Sequence, residues 1–328
     1  MRFLAIGAGS IGTRHSRNLI DLGHVVTLWD WDSARLDLAR RELDVEVATS
    51  LEHGLGRRPE GVVICTPPAT HMGLARRAIE AGAHLFVEKP LADSTDEVPA
   101  LLDAARRGGR VLAVGFNLRF LPSLRRVKAL LDRARVQKVF SVRAQFGFYL
   151  PIWRRGRDYR ENYAVRAAEG GGVLLDAIHE LDYLGWLFGE AQEVFCTAGH
   201  VSELAGDTED LAEVTIRFGS GVLAQVHLDY LRRAYRRDLE IIGEAGVILW
   251  DYSERSVRIL GPAPDQVETE VGTDDAPNEA MYVEEMRHFV RCIEGLEEPL
   301  VDGWEALRSL RMVEASRISA AERRWVKI

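Results

Sequence analysis

The chain has 328 residues, of which 47% are apolar and 28% are charged, a composition typical of a globular protein. This length favours two domains over one and excludes a small module held together by disulfides. The formal charge of −8 has the wrong sign for general binding to a phosphate backbone, so we expect no nucleic-acid partner.

The cysteines and the apolar segments indicate the cellular compartment of the protein. Cys65, Cys196 and Cys292 are odd in number and too scattered for a disulfide framework or a CxxC metal site. The apolar run before Gly7 is too short for a signal peptide, and no run approaches the ~18 residues of a membrane span. We therefore expect a cytoplasmic protein with no membrane partner.

In the first 118 residues, short apolar runs alternate with amphipathic segments. The runs are FLAIG, VVTLW, VEVA, GVVIC, HLFVE and RVLAVG. Glycines follow the predicted helices at Gly23, Gly82 and Gly108. This alternation predicts an α/β domain over 1–118, with a parallel, doubly wound sheet and crossover helices.

After residue 118 the pattern changes to that of an α+β domain. Helices are predicted over 121–133, 174–188, 278–293 and 303–322. Five segments between them alternate with the period of strands: AEVTIRF, VLAQVHLDYL, RDLEIIG, GVILWDY and SVRIL. We predict a second domain over 119–328, with a large, mainly antiparallel open sheet covered by helices on one side. Apolar residues alternating on its other face would favour a homodimer or homotetramer.

A G-x-G-x-x-G pattern lies between the first predicted strand and helix. It comprises Gly7, Gly9, Ser10, Ile11 and Gly12. Glycines here permit a tight turn and close approach to a pyrophosphate, which a helix N-terminus attracts. Asp30 ends the next strand, where a carboxylate binds ribose hydroxyls and repels the 2′-phosphate of NADP, so NAD is predicted rather than NADP. The alternative is a turn that serves packing alone, with Asp30 capping a helix, although Asp32 is the better cap.

Two more loops follow predicted strands at the carboxyl edge of the sheet, where open α/β folds bind ligands. Thr66 and Pro67 follow GVVIC, and we expect them and His71 to lie beside the dinucleotide; the alternative is a strand terminator, with His71 at the surface or in the packing. Glu88 and Lys89 end the strand HLFVE and are predicted to face the cofactor. The Lys89 amine could accept a proton from a substrate hydroxyl, whereas an isolated lysine in such a turn is commonly a surface residue.

The segment GGGVLLDAIHELD, residues 170–182, contains the second candidate group. Asp176 and His179 would share one face of a predicted helix. His179 could move a hydroxyl proton while hydride leaves the same carbon, because imidazole titrates near neutral pH, and Asp176 could orient it or bind a substrate hydroxyl. The alternative is that Asp176 caps the helix and His179 is buried in an interface. No metal site is expected, since no His or Cys cluster completes one.

These motifs resemble those of the Gfo/Idh/MocA family of NAD(P)-dependent sugar and polyol oxidoreductases. They stand in the family's order: GAGSIG (7–12), Asp30, CTPPATH (65–71), EKP (88–90), VGFNLRF (114–120) and GGGVLLDAIHELD (170–182). The resemblance implies a Rossmann, NAD-binding domain over 1–118 and an open-sheet domain after it. It also implies that the nicotinamide lies over Lys89 and that Lys89, Asp176 and His179 hold the sugar. Many members have three residues between the Asp and the His, and this chain has two. The family's role for the His therefore carries over to His179 more securely than its role for the Asp carries over to Asp176. Whether Lys89 or His179 is the main base stays open.

The segment over 146–166, FGFYLPIWRRGRDYRENYAVR, precedes the predicted catalytic helix and is aromatic and basic. Five arginines stand against one Asp and one Glu, a local charge of +3. Because arginine forks onto carboxylate or phosphate and aromatic rings stack on sugars, we expect an anionic or nucleotide-activated sugar. The alternative is a solvated or subunit-contact loop. The candidate substrate contacts are Arg119, Tyr149, Trp153, Arg154 and Tyr163, with Asp176 and His179.

The sequence thus predicts an NAD-dependent dehydrogenase that transfers hydride between NAD and a secondary alcohol of a sugar, polyol or activated sugar. Two alternatives stay open. One is a lyase or glycosidase of the same fold that oxidises its substrate only transiently with tightly held NAD. The other is a non-catalytic protein that responds to NAD or to a sugar.

Overall fold

The structure is a computed structural model that describes residues 1–153, 158–261, 263, 266–271 and 279–328. The chain forms two compact units, Met1–Asn117 with Asn278–Leu307 and Leu118–Pro277 with Arg308–Ile328. No helix in the described part of the chain is both long and apolar enough to cross a membrane.

The first unit is built on six parallel strands. These are β1 (Arg2–Ile6), β2 (Val25–Trp29), β3 (Glu46–Val47), β4 (Gly61–Ile64), β5 (His84–Glu88) and β6 (Leu112–Gly115). The connecting helices are α1 (Ser10–Asp21), α2 (Ser33–Leu43), α3 (Leu51–Gly56), α4 (His71–Glu80) and α5 (Val98–Arg107). The sheet order β3-β2-β1-β4-β5-β6 confirms the predicted Rossmann sheet. The strand order reverses at β1, so a crevice for ligands opens between the carboxyl ends of β1 and β4.

The second unit contains nine strands in its described residues. They are β7 (Val139–Gly147), β8 (Ala191–Gly199), β9 (Leu211–Phe218), β10 (Leu223–Asp229), β11 (Arg236–Gly243), β12 (Gly246–Asp251), β13 (Ser256–Leu260), β14 (Val267–Val271) and β15 (Val326–Lys327). The order is β14-β13-β12-β11-β7-β10-β9-β8-β15, and β7 pairs with β10 in parallel while the other pairs are antiparallel. The mainly antiparallel sheet is confirmed, although β7, β8, β14 and β15 were not predicted as strands.

Six further helices complete the described fold. They are α6 (Pro122–Asp132), α7 (Leu150–Trp153), α8 (Val173–Asp176), α9 (His179–Phe188), α10 (Ala280–Ile293) and α11 (Gly303–Glu322). Met286 and Phe289 of α10 pack in one apolar cluster with Phe3 of β1 and Phe86 of β5. The chain therefore returns to the first unit after the second sheet and leaves it again within α11. The prediction was a second domain that runs without interruption over 119–328. The structure differs, because Asn278–Leu307 belongs to the first unit.

The apolar alternation in β10 belongs to the core. Ala224, Val226 and Leu228 are buried, while Gln225 is exposed and His227 is half-buried on the other face. The face opposite to the core is therefore largely polar along this strand. The alternation does not support an apolar subunit contact, and the homodimer or homotetramer stays a prediction.

Two arginine–carboxylate pairs are buried in the second unit, and both carboxylates lie on α9. Arg119 donates from Nη2 to Oδ1 of Asp182 at 2.7 Å and from Nε to Oδ2 at 2.9 Å, and these side chains are 3% and 1% exposed. Arg237 donates from Nε to Oε1 of Glu180 at 2.7 Å. Buried charges of this kind require their partners, because water cannot replace them.

Asp182→Asn should therefore destabilise the protein strongly. The guanidinium of Arg119 would stay buried without its neutralising charge, which should lower the free energy of unfolding by about 3 kcal/mol or more. Asp103→Asn, which removes the partner of Arg106 at the surface, is the control and should cost less than about 1 kcal/mol. Urea unfolding followed by circular dichroism measures both, and equal losses would contradict the expectation.

Candidate active site

The turn between β1 and α1 contains three glycines with different requirements. Gly7 has φ +103°, and a Cβ on it would lie 2.6 Å from the carbonyl oxygen of Cys65. A Cβ on Gly12 would lie 1.8 Å from the carbonyl oxygen of Gly7. Gly9 has an ordinary φ of −73°, and a Cβ there would meet no atom within 4 Å. Gly7 and Gly12 are thus required by the packing of the protein, whereas the space at Gly9 suits a ligand.

The N-terminus of α1 supplies donors at this space. The first intrahelical bond of α1 runs from the Thr13 amide to the Gly9 carbonyl at 2.9 Å. The amides of Ser10, Ile11 and Gly12 precede it, so helix geometry gives them no acceptor within α1. With the helix dipole they form a site suited to a pyrophosphate, and the residues therefore fit a dinucleotide.

Asp30 directly follows β2 and is held beside the same turn. Its Oδ2 accepts a hydrogen bond from the Ala8 amide at 2.6 Å, and its Oδ1 accepts one from the Asp32 amide at 2.8 Å. Each carboxylate oxygen can accept a second hydrogen bond, as from a ribose hydroxyl. Asp32 caps α2 as predicted, since its Oδ1 accepts from the Ala34 amide at 2.9 Å.

His71 joins the two loops that were predicted to border the cofactor. Its Nε2 lies 2.8 Å from the carbonyl oxygen of Thr66, which precedes Pro67, and its Nδ1 lies 2.9 Å from that of Pro90, which follows Lys89. The side chain is 1% exposed, and burial lowers the pKa of His71. A surface position is therefore wrong, and the packing alternative describes this histidine. Its contact with the cofactor stays a prediction.

The carboxylate of Glu88 is hydrogen-bonded within the first unit. Its Oε1 lies 2.6 Å from Nε2 of His15 on α1, and its Oε2 accepts the Lys89 amide at 3.1 Å. Lys89 is half-buried at the carboxyl end of β5. His15 was not among the predicted site residues, although its position one turn before the buried Leu19 places it on the inner face of α1.

Asp176 and His179 do not lie on one continuous helix. α8 ends at Asp176, Ala177 has φ −93° and ψ 27°, and α9 begins at His179. The predicted shared helical face is therefore wrong, as is a capping role for Asp176 at a helix N-terminus. Both side chains are buried, at 9% and 8% exposure.

Two tyrosines donate to the Asp176 carboxylate. The Tyr163 hydroxyl lies 2.7 Å from Oδ1, and the Tyr230 hydroxyl lies 3.3 Å from Oδ2. Burial and then the Asp176 charge raise the pKa of Tyr230 well above its ordinary value, so its phenol stays a donor. Tyr163 was singled out from the sequence as a substrate contact, whereas Tyr230 was missed despite its place directly after β10.

The remaining predicted substrate contacts have other neighbours. Trp153 packs with its ring 5.7 Å from that of Phe146 and 6.0 Å from that of Tyr230. The Arg233 guanidinium stacks over the Tyr149 ring at 3.5 Å from its centroid. Arg119 donates twice to the buried Asp182, as described above, and this disfavours it as a substrate contact.

The basic character of the 146–166 segment is largely neutralised where the structure describes it. Arg160 donates from Nε to Oδ1 of Asp158 at 2.9 Å, and Arg166 donates from Nη1 to Oε1 of Glu169 at 2.6 Å. Arg154, with the two other arginines next to it, lies outside the described residues. The described arginines are therefore paired within the protein and give no direct support for an anionic substrate.

Comparison with known families agrees with this geometry. Residues 1–116 match the family model described as an oxidoreductase family with an NAD-binding Rossmann fold. Residues 124–249 match the Gfo/Idh/MocA C-terminal domain. The chain belongs to the Gfo/Idh/MocA family. The predicted family, the oxidoreductase class and NAD as the cofactor are thereby confirmed.

Individual relatives align along nearly the whole chain. Myo-inositol 2-dehydrogenase of Thermotoga maritima is 29% identical over 342 residues, which cover 100% of this chain and 98% of that protein. D-apiose dehydrogenase of Paraburkholderia graminis is 28% identical, with 98% and 88% covered. Among solved structures, GenD2 from gentamicin A biosynthesis in complex with NAD is 26% identical, with a TM-score of 0.86 and coverage of 100% and 96%.

The glycine turn of this oxidoreductase gives a matched pair of variants. Gly9→Ala should fold normally, because the added methyl meets no protein atom, but it should raise the Kd for NAD at least about tenfold by occupying the pyrophosphate space. Gly12→Ala should instead lower the unfolding free energy by about 1–3 kcal/mol, because its methyl collides with the Gly7 carbonyl. Thermal unfolding and calorimetric titration with NAD separate the two effects. Wild-type NAD affinity in Gly9→Ala would contradict this placement of the pyrophosphate.

Proposed function

We propose that this protein is an NAD-dependent dehydrogenase that oxidises a secondary alcohol of a sugar or polyol. The observation that carries the proposal is the open space at Gly9 beside the Asp30 carboxylate, which suits a dinucleotide with an unmodified ribose. Two relatives that align along nearly the whole chain are named for the dehydrogenation of myo-inositol and of D-apiose, a polyol and a sugar.

The residues of the first unit hold the cofactor and one candidate proton acceptor. Gly7, Gly9 and the first turn of α1 would hold the pyrophosphate, and Asp30 would hold the ribose. NAD, when bound, supplies a hydride acceptor for the carbon that carries the hydroxyl. Lys89 would bind that hydroxyl, and the bond between its amide and Glu88 fixes the backbone from which its amine extends. This restraint supports Lys89 as the proton acceptor or as a donor that orients the alcohol.

The residues of the second unit recognise the substrate. His179 would hold or pass on the proton that the alcohol loses, since an imidazole can do both near neutral pH. Asp176 would accept a hydrogen bond from a further hydroxyl of the substrate. Its carboxylate is oriented by hydrogen bonds from Tyr163 and Tyr230, and a carboxylate oxygen can accept more than one hydrogen bond.

The substrate that fits the described residues best is uncharged. The described arginines of the 146–166 segment are paired, Arg160 with Asp158 and Arg166 with Glu169, so both are already engaged by acidic partners. The acceptor at Asp176 suits a hydroxyl. These observations support a polyol or neutral sugar over the anionic or nucleotide-activated sugar expected from the composition of the segment.

An activity screen tests the function directly. With NAD, the purified protein should form NADH from at least one cyclic polyol or neutral aldose, with lower kcat/KM for uronic acids. NAD should be preferred over NADP by at least about tenfold, because Asp30 repels a 2′-phosphate. Absence of NADH from a folded, NAD-binding protein would contradict the proposal, and solvent deuterium in the recovered sugar would then indicate transient oxidation. Light scattering on the same sample would measure whether it is a dimer or a tetramer.

Substitution of the two proton-handling residues tests their roles. Lys89→Met and His179→Asn should each lower kcat by about 10²-fold or more, because each removes a group that moves or orients the proton. Lys138→Met and His53→Asn change exposed residues outside the proposed site and serve as controls. Steady-state kinetics beside NAD titrations measure the effect. A variant with wild-type kcat would remove that residue from the mechanism.

A further inference from the structure

A cluster of ionisable side chains is buried in the first unit, and the proposed reaction uses none of its charges directly. His15 of α1, Glu88 of β5 and Glu285 of α10 each place one nitrogen or oxygen atom within 4.8 Å of the others. The side chain of His15 has no exposed surface, and that of Glu88 is 13% exposed. Glu285 is 2% exposed. Three elements from distant parts of the chain thus bring two carboxyl groups together, one buried and the other largely shielded from water.

Glu285 differs from Glu88 in its hydrogen bonds. Both of its carboxyl oxygens are buried and accept no hydrogen bond from any residue that the structure describes. Glu88, in contrast, has the His15 ring at 2.6 Å and the Lys89 amide at 3.1 Å. Donors stabilise an ionised carboxylate, and burial without donors disfavours it. The negative charge of the cluster therefore belongs on Glu88.

The other groups around the cluster offer Glu285 little compensation. The Cys65 thiol at the end of β4 stays neutral, because burial and then the charge of Glu88 raise its pKa well above the ordinary value. The rings of Phe86 and Tyr282 pack against His15 at centroid distances of 5.1 and 6.1 Å. Arg14 stacks on the Tyr282 ring, 4.4 Å from its centroid. Burial, followed by the charge on Glu88, raises the pKa of Glu285 well above its ordinary value.

Glu88 connects this cluster to both parts of the cofactor site. One of its oxygens holds the backbone of Lys89, and the other holds α1 through His15. The N-terminus of the same helix forms the turn at Gly9. A second negative charge beside Glu88 would repel it and weaken both hydrogen bonds.

We propose that Glu285 is a positioning residue that carries a proton and thereby leaves Glu88 as the sole carboxylate, bonded to His15 and to the Lys89 amide. The catalytic part of this inference rests on the proposed function, because it assumes that Lys89 binds the substrate. Two carboxylates in one buried cluster would repel each other, and this repulsion is avoided when one of them stays protonated. The proton removes the charge of Glu285, so that no cation is needed to neutralise it.

A divalent cation bound by the same three side chains is the competing occupant. The structure favours the proton, because His15 and Glu88 are already in direct hydrogen-bond contact. Nδ1 of His15 also has no partner among the described residues. A metal-bound imidazole usually donates from its second nitrogen, and this one has no acceptor to receive it.

The proton on Glu285 makes stability depend on pH with a definite sign. The carboxyl group is protonated in both folded and unfolded chains below its ordinary pKa of 4.5, and its contribution is then fully present. Above that pH the unfolded chain loses the proton while the folded chain keeps it, so stability falls as the pH rises towards the raised pKa. A variant with a side chain of the same shape that does not titrate should not show this fall in stability.

Glu285→Gln and Glu284→Gln are a matched pair for testing the proposal. Both remove one carboxylate from α10, but Glu284 is partly exposed and bonded to Arg287 at the surface. At about pH 9, Glu285→Gln should melt at least about 3 °C higher than wild type, and the difference should shrink towards about pH 5. Glu284→Gln should follow the wild-type pH profile. These melting curves need no substrate, so they test the proton even if the activity screen fails.

Activity measurements then test the positioning role. The wild-type kcat should fall on the alkaline side with a transition that is absent in Glu285→Gln, while the KM for the sugar changes less than about threefold. Infrared difference spectra should show the band of a protonated carboxylic acid in wild type and its loss in Glu285→Gln. The proposal would be overturned by identical pH profiles of stability, by absence of the acid band, or by a stoichiometric metal in the purified protein that Glu285→Gln loses. Loss of the stability effect refutes the proton, whereas loss of the kcat effect alone refutes the link to Lys89.

Discussion

The close contact between α1 and the carboxyl ends of β1 and β4 sets the positions of the other functional groups in the first unit. The Gly12 backbone lies against the Gly7 carbonyl, at a distance that excludes a side chain. This contact directs the N-terminus of α1 at the crevice where the strand order reverses. It also places the Ala8 amide against the carboxylate of Asp30 and brings His15 to Glu88. The space suited to a pyrophosphate, the carboxylate suited to a ribose and the support of the Lys89 backbone thus follow from one packing constraint.

Both units bury ionisable groups, but they compensate them in different ways. In the second unit, Arg119 and Arg237 are each opposed by a carboxylate on α9, and the pairs are closed by direct hydrogen bonds. In the first unit, Glu285 has no such partner among the described residues, and we assign it a proton instead. A buried pair is insensitive to pH over a wide range, whereas a buried acid that must stay protonated loses its advantage in alkali. The loss of stability in alkali that we assign to Glu285 should therefore originate in the first unit.

The surroundings of Asp176 indicate how the second unit can select a substrate. The hydroxyls of Tyr163 and Tyr230 donate to the two oxygens of this carboxylate and orient it. A carboxylate in that state accepts hydrogen bonds from hydroxyl groups and repels anions. The basic segment next to it suggested the opposite preference from composition alone. The structure shows that Arg160 and Arg166 have acidic partners nearby, which a charge count cannot reveal.

The sequence by itself determined the features that depend on neighbouring residues. The glycine pattern, the Asp32 cap, the parallel strands of the first sheet and most strands of the second follow from local sterics and from the period of apolar residues. Only the tertiary structure decided which distant groups meet. An amphipathic pattern shows that α10 has a buried face, but not that this face covers the first sheet and brings Glu285 to Glu88. The break between Asp176 and His179 likewise lies inside an apolar stretch that favours a continuous helix. The periodicity of apolar residues identifies which face of an element is buried. Which other element packs against that face is decided by packing across the whole chain.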